Sequence, residues 1–273
     1  MKLFRRLFAP APVHRPVTLI HTPKCAGTFI QQAYRLHERP WIRTLGHARL
    51  RDAAADRSHA VVGLIREPGD WYASYVAFCR RSLGAAPQSV ENFPATHPIS
   101  IFSDDGRRGV TATLEAMADR ALLQRLCAAR VTANVYAREI PDVYEFMLRT
   151  GTGFWTWTMM HHYAAVPTEA LRTADDVRSQ AEAIAARVAF IHQETLCDDV
   201  QTVLGLPPPA DRAPLNRSER SAQDVPGERA RRLADGLDGA AYAILGRRHA
   251  LPFAVAAVGP ERTAPDVARR RTA

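Results

Sequence analysis

Lysine is nearly missing from this chain: of 36 basic residues only Lys2 and Lys24 are lysines, and the other 34 are arginines. Arginine is a planar, always-charged fork, whereas lysine is a compact point charge on a flexible stem. A lysine kept in a punctuated interior segment, at Lys24, is therefore singled out as a cation that has to follow a moving charge. Cysteine is sparse as well. Cys25, Cys79, Cys127 and Cys197 form no CxxC or other ligand spacing, which excludes a zinc-ribbon or disulfide scaffold and suits reduced thiols in a cytoplasmic protein. No HExxH, acidic pair or Cys/His quartet stands out, so no metal is expected; the neighbours His161 and His162 diverge by about 100° if helical, too far to share an ion. Long apolar runs are absent too. The start MKLFRRLFAPAP falls short of the roughly 20 residues a span requires, and Pro10 and Pro12 end any helix there. It reads as a frayed terminus, with weak contact to an anionic membrane surface as the alternative, which would make a cytoplasmic protein peripheral to the membrane.

What is present suits an ordinary soluble globular protein: 47% hydrophobic and 23% charged residues over 273 positions, enough for one large domain. The formal charge of +8 belongs mostly to the ends. Residues 1–16 carry Lys2, Arg5, Arg6 and Arg15 without an acid, and residues 259–273 carry four arginines against Glu261 and Asp266. The near-neutral span between them argues against a nucleic-acid-binding face. The chain divides into a basic segment 1–16, a single domain 17–258 and a basic tail 259–273.

Val17-Thr18-Leu19-Ile20 is a β-branched apolar run, followed by His21-Thr22-Pro23-Lys24-Cys25-Ala26-Gly27-Thr28 and a helical stretch to about Leu36. The unit repeats. Ala60 to Ile65 reads as a second strand, Arg66-Glu67-Pro68-Gly69-Asp70 as its loop, and Trp71 to Arg81 as a helix. Unbroken apolar strands alternating with helices predict an α/β fold, a mostly parallel central sheet covered by helices, with both loops on its carboxyl edge. Residues 84–110 read as an excursion rich in Pro, Gly and Ser. Helices are expected at 111–130, 132–149 (restarted near Pro141), 174–187, 195–204 and 226–247, with a third strand at Val188–His192. The aromatic stretch from Phe154 to Tyr163 is read as core, with stacking on an acceptor as the alternative.

A strand-to-helix loop presents backbone N–H groups without intrahelical partners at the positive end of a helix dipole, so it attracts anions. Gly27 permits close approach, Thr28 offers a hydroxyl and Lys24 a mobile cation. Lys24 precedes Gly27 and Thr28, the reverse of a Walker A loop, where lysine directly precedes the hydroxyl residue.

HTPKCAGTF, His21 to Phe29, resembles the 5′-phosphosulfate loop of sulfotransferases that use 3′-phosphoadenosine 5′-phosphosulfate (PAPS), in the branch whose loop reads HxPKxAGT. LIREPGDWYASY resembles that family's 3′-phosphate site, with Arg66 at the strand end and Ser74 on the next helix. Phe190 to Leu196 and Leu215-Asn216-Arg217-Ser218 are similar to its late segments; residues between about 80 and 188 match nothing in it.

The resemblance implies a P-loop NTPase-like fold. It also implies transfer of a sulfuryl group from PAPS, leaving 3′,5′-adenosine bisphosphate, to a hydroxyl or amine of a carbohydrate or small-molecule acceptor. Donor contacts fall to Pro23, Lys24, Cys25, Ala26, Gly27, Thr28 and Phe29 on the 5′ side and to Arg66, Ser74 and Arg217 on the 3′ side. Lys24 would steady the charge of transfer. The base is open between His47, in Leu45-Gly46-His47, and Glu38, with His21 supporting the loop. Two other readings remain: an ATP-dependent small-molecule kinase, which lacks its Walker lysine here, and a non-catalytic nucleotide-binding protein, suggested by Cys25 where a small hydroxyl is usual.

Overall fold

The computed structural model describes residues 16–53, 58–85, 109–130, 133–135, 138–140, 142–209 and 225–247. The strands are β1 (Val17–Ile20), β2 (Ile42–Thr44), β3 (Ala60–Ile65), β4 (Ala133–Val135), β5 (Arg138–Ile140) and β6 (Val188–His192). The α-helices are α1 (Gly27–Ala33), α2 (Pro68–Ala85), α3 (Val110–Ala118), α4 (Arg120–Ala128), α5 (Val143–Thr150), α6 (Phe154–Tyr163), α7 (Ala174–Ala185), α8 (Leu196–Leu204) and α9 (Glu228–Leu245).

The central sheet is four-stranded and wholly parallel, in the order β2-β1-β3-β6. Its middle strands β1 and β3 are buried residue by residue, which is why their sequences carry no polar alternation. Chain direction reverses across their seam. From β1 the chain passes through α1 to β2 on one side, and from β3 it passes through α2 and later helices to β6 on the other. The β1/β3 seam is thus the topological switch point, where the loops leaving adjacent strands diverge and open a crevice. β2, with one buried residue and two exposed, is a short edge strand that periodicity could not reveal.

Between 111 and 150 the structure departs from the sequence expectation. The first predicted helix is two, because Asp119 adopts extended backbone and its carboxylate accepts the Leu122 N–H, capping α4. The helix expected from 132 is instead an antiparallel β4/β5 hairpin followed by α5. The β-forming run Val131-Thr132-Ala133-Asn134-Val135-Tyr136 outweighs local helical spacing. α2 continues to Ala85; the rest of the excursion expected at 84–110, apart from Gly109 and Val110, lies outside the described residues.

The aromatic stretch is α6, with Phe154, Trp155, Trp157, Met159, Met160 and Tyr163 all buried. It is core, so Trp155 and Trp157 do not present a stacking surface to an acceptor. A helix apolar on every side has no solvent from which to draw its cap, and α6 takes one from a distance. Asp238 of α9, itself buried, accepts from Gly153 N (3.1 Å), Thr156 N (2.9 Å), Thr156 Oγ1 (2.6 Å) and Tyr72 Oη (2.7 Å). Gly153 is obligatory here, because a Cβ would lie 2.3 Å from the Asp238 carboxylate. One side chain therefore joins α2, α6 and α9.

Asp238→Ala leaves Thr156 N, Thr156 Oγ1 and Tyr72 Oη without that buried acceptor, each worth about 1–3 kcal/mol, while Gly153 N keeps its bond to Leu237 O. Urea unfolding of the variant is expected to show a loss of about 3 kcal/mol or more; a loss below about 1 kcal/mol would mean that the carboxylate is not the link between these helices.

Candidate functional site

Two loops leave the carboxyl ends of β1 and β3. The first, His21 to Ala26, is tightly wound: Cys25 N–H donates to Thr22 O at 3.3 Å, and both Lys24 (φ 64°) and Ala26 (φ 62°) adopt the left-handed conformation. For residues with a Cβ this costs about 1–2 kcal/mol each, which persists only where the surroundings impose it. Two indoles and a guanidinium impose it here. Trp71 Nε1 of α2 donates to Pro23 O at 2.8 Å, Arg66 Nη1 donates to Lys24 O at 3.4 Å, and Trp155 Nε1 of α6 donates to Arg66 O at 3.1 Å. Beneath the loops the Tyr163 hydroxyl donates to Ile20 O of β1 and accepts the Leu64 N–H of β3, each at 3.2 Å, with Thr22 Oγ1 hydrogen-bonded to the same oxygen. Gly63 admits that phenol, whose oxygen would lie 2.8 Å from a Cβ.

Lys24 and Arg66 therefore meet at one sheet edge. The Lys24 ammonium lies over the Phe78 ring of α2, 3.4 Å from its centroid. Asp70, Ser74 and Phe78 follow one another at four-residue spacing, a single stripe of α2. Ser74, buried, is thus one turn from the ring beneath the Lys24 ammonium. Arg66 is itself 7% exposed, a cation withdrawn from water beside a loop built of amides.

The two helix starts differ. No side chain caps α1 and its first turn holds no acid, so no side chain fills its N-terminus at Gly27 to Phe29. The start of α2 is already filled: the Glu67 carboxylate accepts Gly69 N–H (3.0 Å) and Asp70 N–H (2.8 Å), and Glu67 N–H in turn donates to Glu194 (2.9 Å). An anion at the second loop would be held by side chains rather than by helix amides.

Pro23, Cys25 and Gly27 are buried, whereas Lys24, Ala26, Thr28 and Phe29 are half-exposed. The Cys25 thiol packs into the core at 1% exposure, and burial raises its pKa far above the usual thiol value. Its being a thiol takes nothing from the solvent side of the loop. Gly27 has a role the sequence did not disclose. The His21 imidazole fills the place of its absent side chain, 1.9 Å from where a Cβ would sit.

His47 stands beside that ring, centroids 4.6 Å apart, and its Nδ1 donates to His21 O at 3.0 Å. The loop after β2 is drawn to the edge by a further bond, His21 N–H to Gly46 O at 2.8 Å. With Nδ1 as donor, the lone pair of the neutral His47 ring is on Nε2. Burial lowers the His47 pKa first, the bond to His21 O raises it, and the Lys24 charge lowers it again. His162 and His161, at the end of α6, extend the group: His162 Nδ1 donates to Ala48 O (3.3 Å), and the His161 ring stacks on Trp157. Desolvation above all brings His21 and His161 to about 4 and His162 to about 3, reinforced by His47 and Lys24 at His21, by Arg51 and Arg49 at His161, and by the neighbouring histidines at His162.

Glu38 drops out as a base: its 3-10 turn precedes β2 and so lies at the amino edge of a parallel sheet, where it pairs with Arg35. Arg217 and its segment 215–218 lie outside the described residues. Among the described residues no cluster of three or more His, Cys, Asp or Glu is placed to hold a metal ion, and no helix is long and apolar enough to cross a membrane. Sequence reasoning missed Trp71, Trp155 and Tyr163 as supports. The signal available for Trp71 was a bulky indole in the first turn after Pro68, on the helix that flanks both loops.

Two outcomes are expected. Gly27→Ala should destabilise the protein strongly and His21→Ala should relieve most of that loss; in a double-mutant cycle the pair should couple by about 1 kcal/mol or more, whereas additivity would show that ring and glycine do not compete for space. Because His21, His161 and His162 have folded pKa values below the unfolded value of about 6.5, the unfolded chain binds more protons between about pH 4 and 6.5. Their contribution is complete above that window and is lost as pH falls through it. Asp238, raised by burial to about 6, and Asp142, also raised by burial, act with the opposite sign, but as two groups against four once the lowered His47 is included. Urea midpoints should therefore fall from pH 7 to pH 4; a rise would contradict the assigned burial.

No family model matches the chain, and the searches of curated proteins and of solved structures find no match either.

Proposed function

We propose that this protein is a sulfotransferase, moving a sulfuryl group from PAPS to a hydroxyl or amine of a carbohydrate or small-molecule acceptor on a P-loop-like sheet edge. The observation that supports the reading is the contact of Arg66 Nη1 with the Lys24 backbone oxygen across the switch point, which sets the lysine-bearing loop against a buried guanidinium, as a doubly phosphorylated nucleotide would require. The residue types fit such a donor. Uncapped amides at Gly27 to Phe29 and the Thr28 hydroxyl suit the 5′-phosphosulfate. Arg66 and Ser74 suit a 3′-phosphate, which they would hold by charge-assisted bonds because Glu67 already fills the start of α2.

PAPS supplies an activated sulfuryl group. The acceptor oxygen or nitrogen bonds to sulfur, the bond from sulfur to the 5′-phosphate oxygen breaks with its electrons passing to that oxygen, and the acceptor proton leaves. His47 Nε2, unprotonated at neutral pH, receives that proton, and the Nδ1 bond to His21 O fixes the ring for it. Lys24, on a flexible stem, steadies the charge that grows on the leaving phosphate. Positioning and electrostatics supply the acceleration. Cys25, facing the core, weakens the case for a pocket that has lost its chemistry.

A thermal-shift titration with 3′,5′-adenosine bisphosphate, ATP and Mg-ATP tests the reading. The bisphosphate is expected to raise Tm most, with about 2.7 kcal/mol of stabilisation at a hundredfold excess over Kd; preference for ATP would overturn it in favour of a kinase. Lys24→Ala should abolish turnover and leave bisphosphate binding largely intact. Arg66→Ala should weaken the bisphosphate about tenfold or more and adenosine 5′-monophosphate hardly at all, since a charge-assisted bond is worth about 1.5–3 kcal/mol. Equal losses for both nucleotides would show that Arg66 does not read the 3′ position.

A further inference from the structure

We infer that Phe78 is a positioning residue: its ring is the resting seat of the Lys24 ammonium, and an anionic donor engages the lysine by drawing it off that ring. The inference rests on the donor reading for its second step only. Lys24 is one of two lysines in the chain, and its Nζ lies 3.4 Å from the Phe78 centroid, within cation–π range. The seat is fixed at both ends. Backbone at Lys24 is held left-handed by the Trp71 bond to Pro23 O and the Arg66 bond to Lys24 O, so the side chain leaves the loop in one direction. Phe78 stands on the same helix as Trp71, two turns further along, and on the stripe that carries Ser74.

The arrangement solves a problem specific to this edge. With Arg66 buried and the Lys24 charge lowering the pKa values of both His21 and His47, a loosely held ammonium would compete for the same ground. An aromatic face stabilises a cation without neutralising it. Its hold is weak enough that a phosphate displaces it, with the gain from the phosphate largely offset by the contact given up.

The test uses the full-length chain in a Lys2→Arg background, where Lys24 is the single lysine, with its ε-methylene signals followed by isotope-edited NMR. Without ligand these signals are expected upfield of their position in the urea-unfolded protein, shielded by the ring. Phe78→Leu should return them to the unfolded position, and Phe78→Tyr should restore the upfield shift. Addition of 3′,5′-adenosine bisphosphate to the Phe78-containing protein should move them downfield. Loss of the competing seat in Phe78→Leu should tighten bisphosphate binding by about two- to fivefold, the equivalent of a partly exposed cation–π contact. Lys24 signals at the unfolded position in the unliganded protein, or unmoved by Phe78→Leu, would overturn the seat. Bisphosphate binding that leaves Lys24 upfield would overturn the exchange while leaving the donor reading intact. An upfield Lys24 with no bisphosphate binding would support the seat and remove the donor reading instead.

Discussion

The parallel pairing of β1 with β3, from Val17 opposite Ala60 to Ile20 opposite Gly63, is the constraint on which the rest depends. Two strands hydrogen-bonded in register must end together, so the loops that leave them are forced into one crevice. Because the chain departs from that pair toward opposite sides, nothing of the sheet itself fills the gap. What does fill it is a frame of single bonds from bulky side chains: Tyr163 below the loops, Trp71 and Trp155 at their carbonyls, and Arg66 between them. Each donor comes from a helix packed on the core or from the strand end itself. The loop conformation is therefore an outcome of tertiary packing, and the left-handed Lys24 and Ala26 are stable only inside it.

This frame explains a division of labour between the two loops. The first leaves its helix start without a side-chain cap and carries the Lys24 ammonium over the Phe78 ring. The second closes its helix start with the Glu67 carboxylate and holds a buried guanidinium, Arg66. Asp238 secures the arrangement from the far side by tying α2, which carries Trp71, Ser74 and Phe78, to α6, which carries Trp155 and Tyr163. Stability and site geometry thus share the same few buried polar groups.

The seam and its loops were legible from sequence because β1 and β3 are buried on both faces, so their unbroken apolar runs and the punctuation after them are local signals. β2 was not legible. With only Ile42 of Ile42-Arg43-Thr44 facing the core, it carries too little pattern to be told from a loop. The β4/β5 hairpin was misread as helix because three-residue strands are set by pairing with each other rather than by spacing. Within the site, the placement of His47 was accessible through its Gly-His segment. The roles of Trp155, Tyr163 and Asp238 were hidden, because each acts on residues about 80 to 165 positions away, and sequence separation of that size is resolved only by folding.

The central claim is that one nucleotide, phosphorylated at both its 5′ and 3′ positions, spans the two loops. A crystal structure of the complex with 3′,5′-adenosine bisphosphate tests it most directly. The account requires the 5′-phosphate over residues 24–28 and the 3′-phosphate against Arg66 and Ser74, in a single molecule. A nucleotide bound with only one phosphate at this edge, or bound elsewhere on the protein, would contradict it.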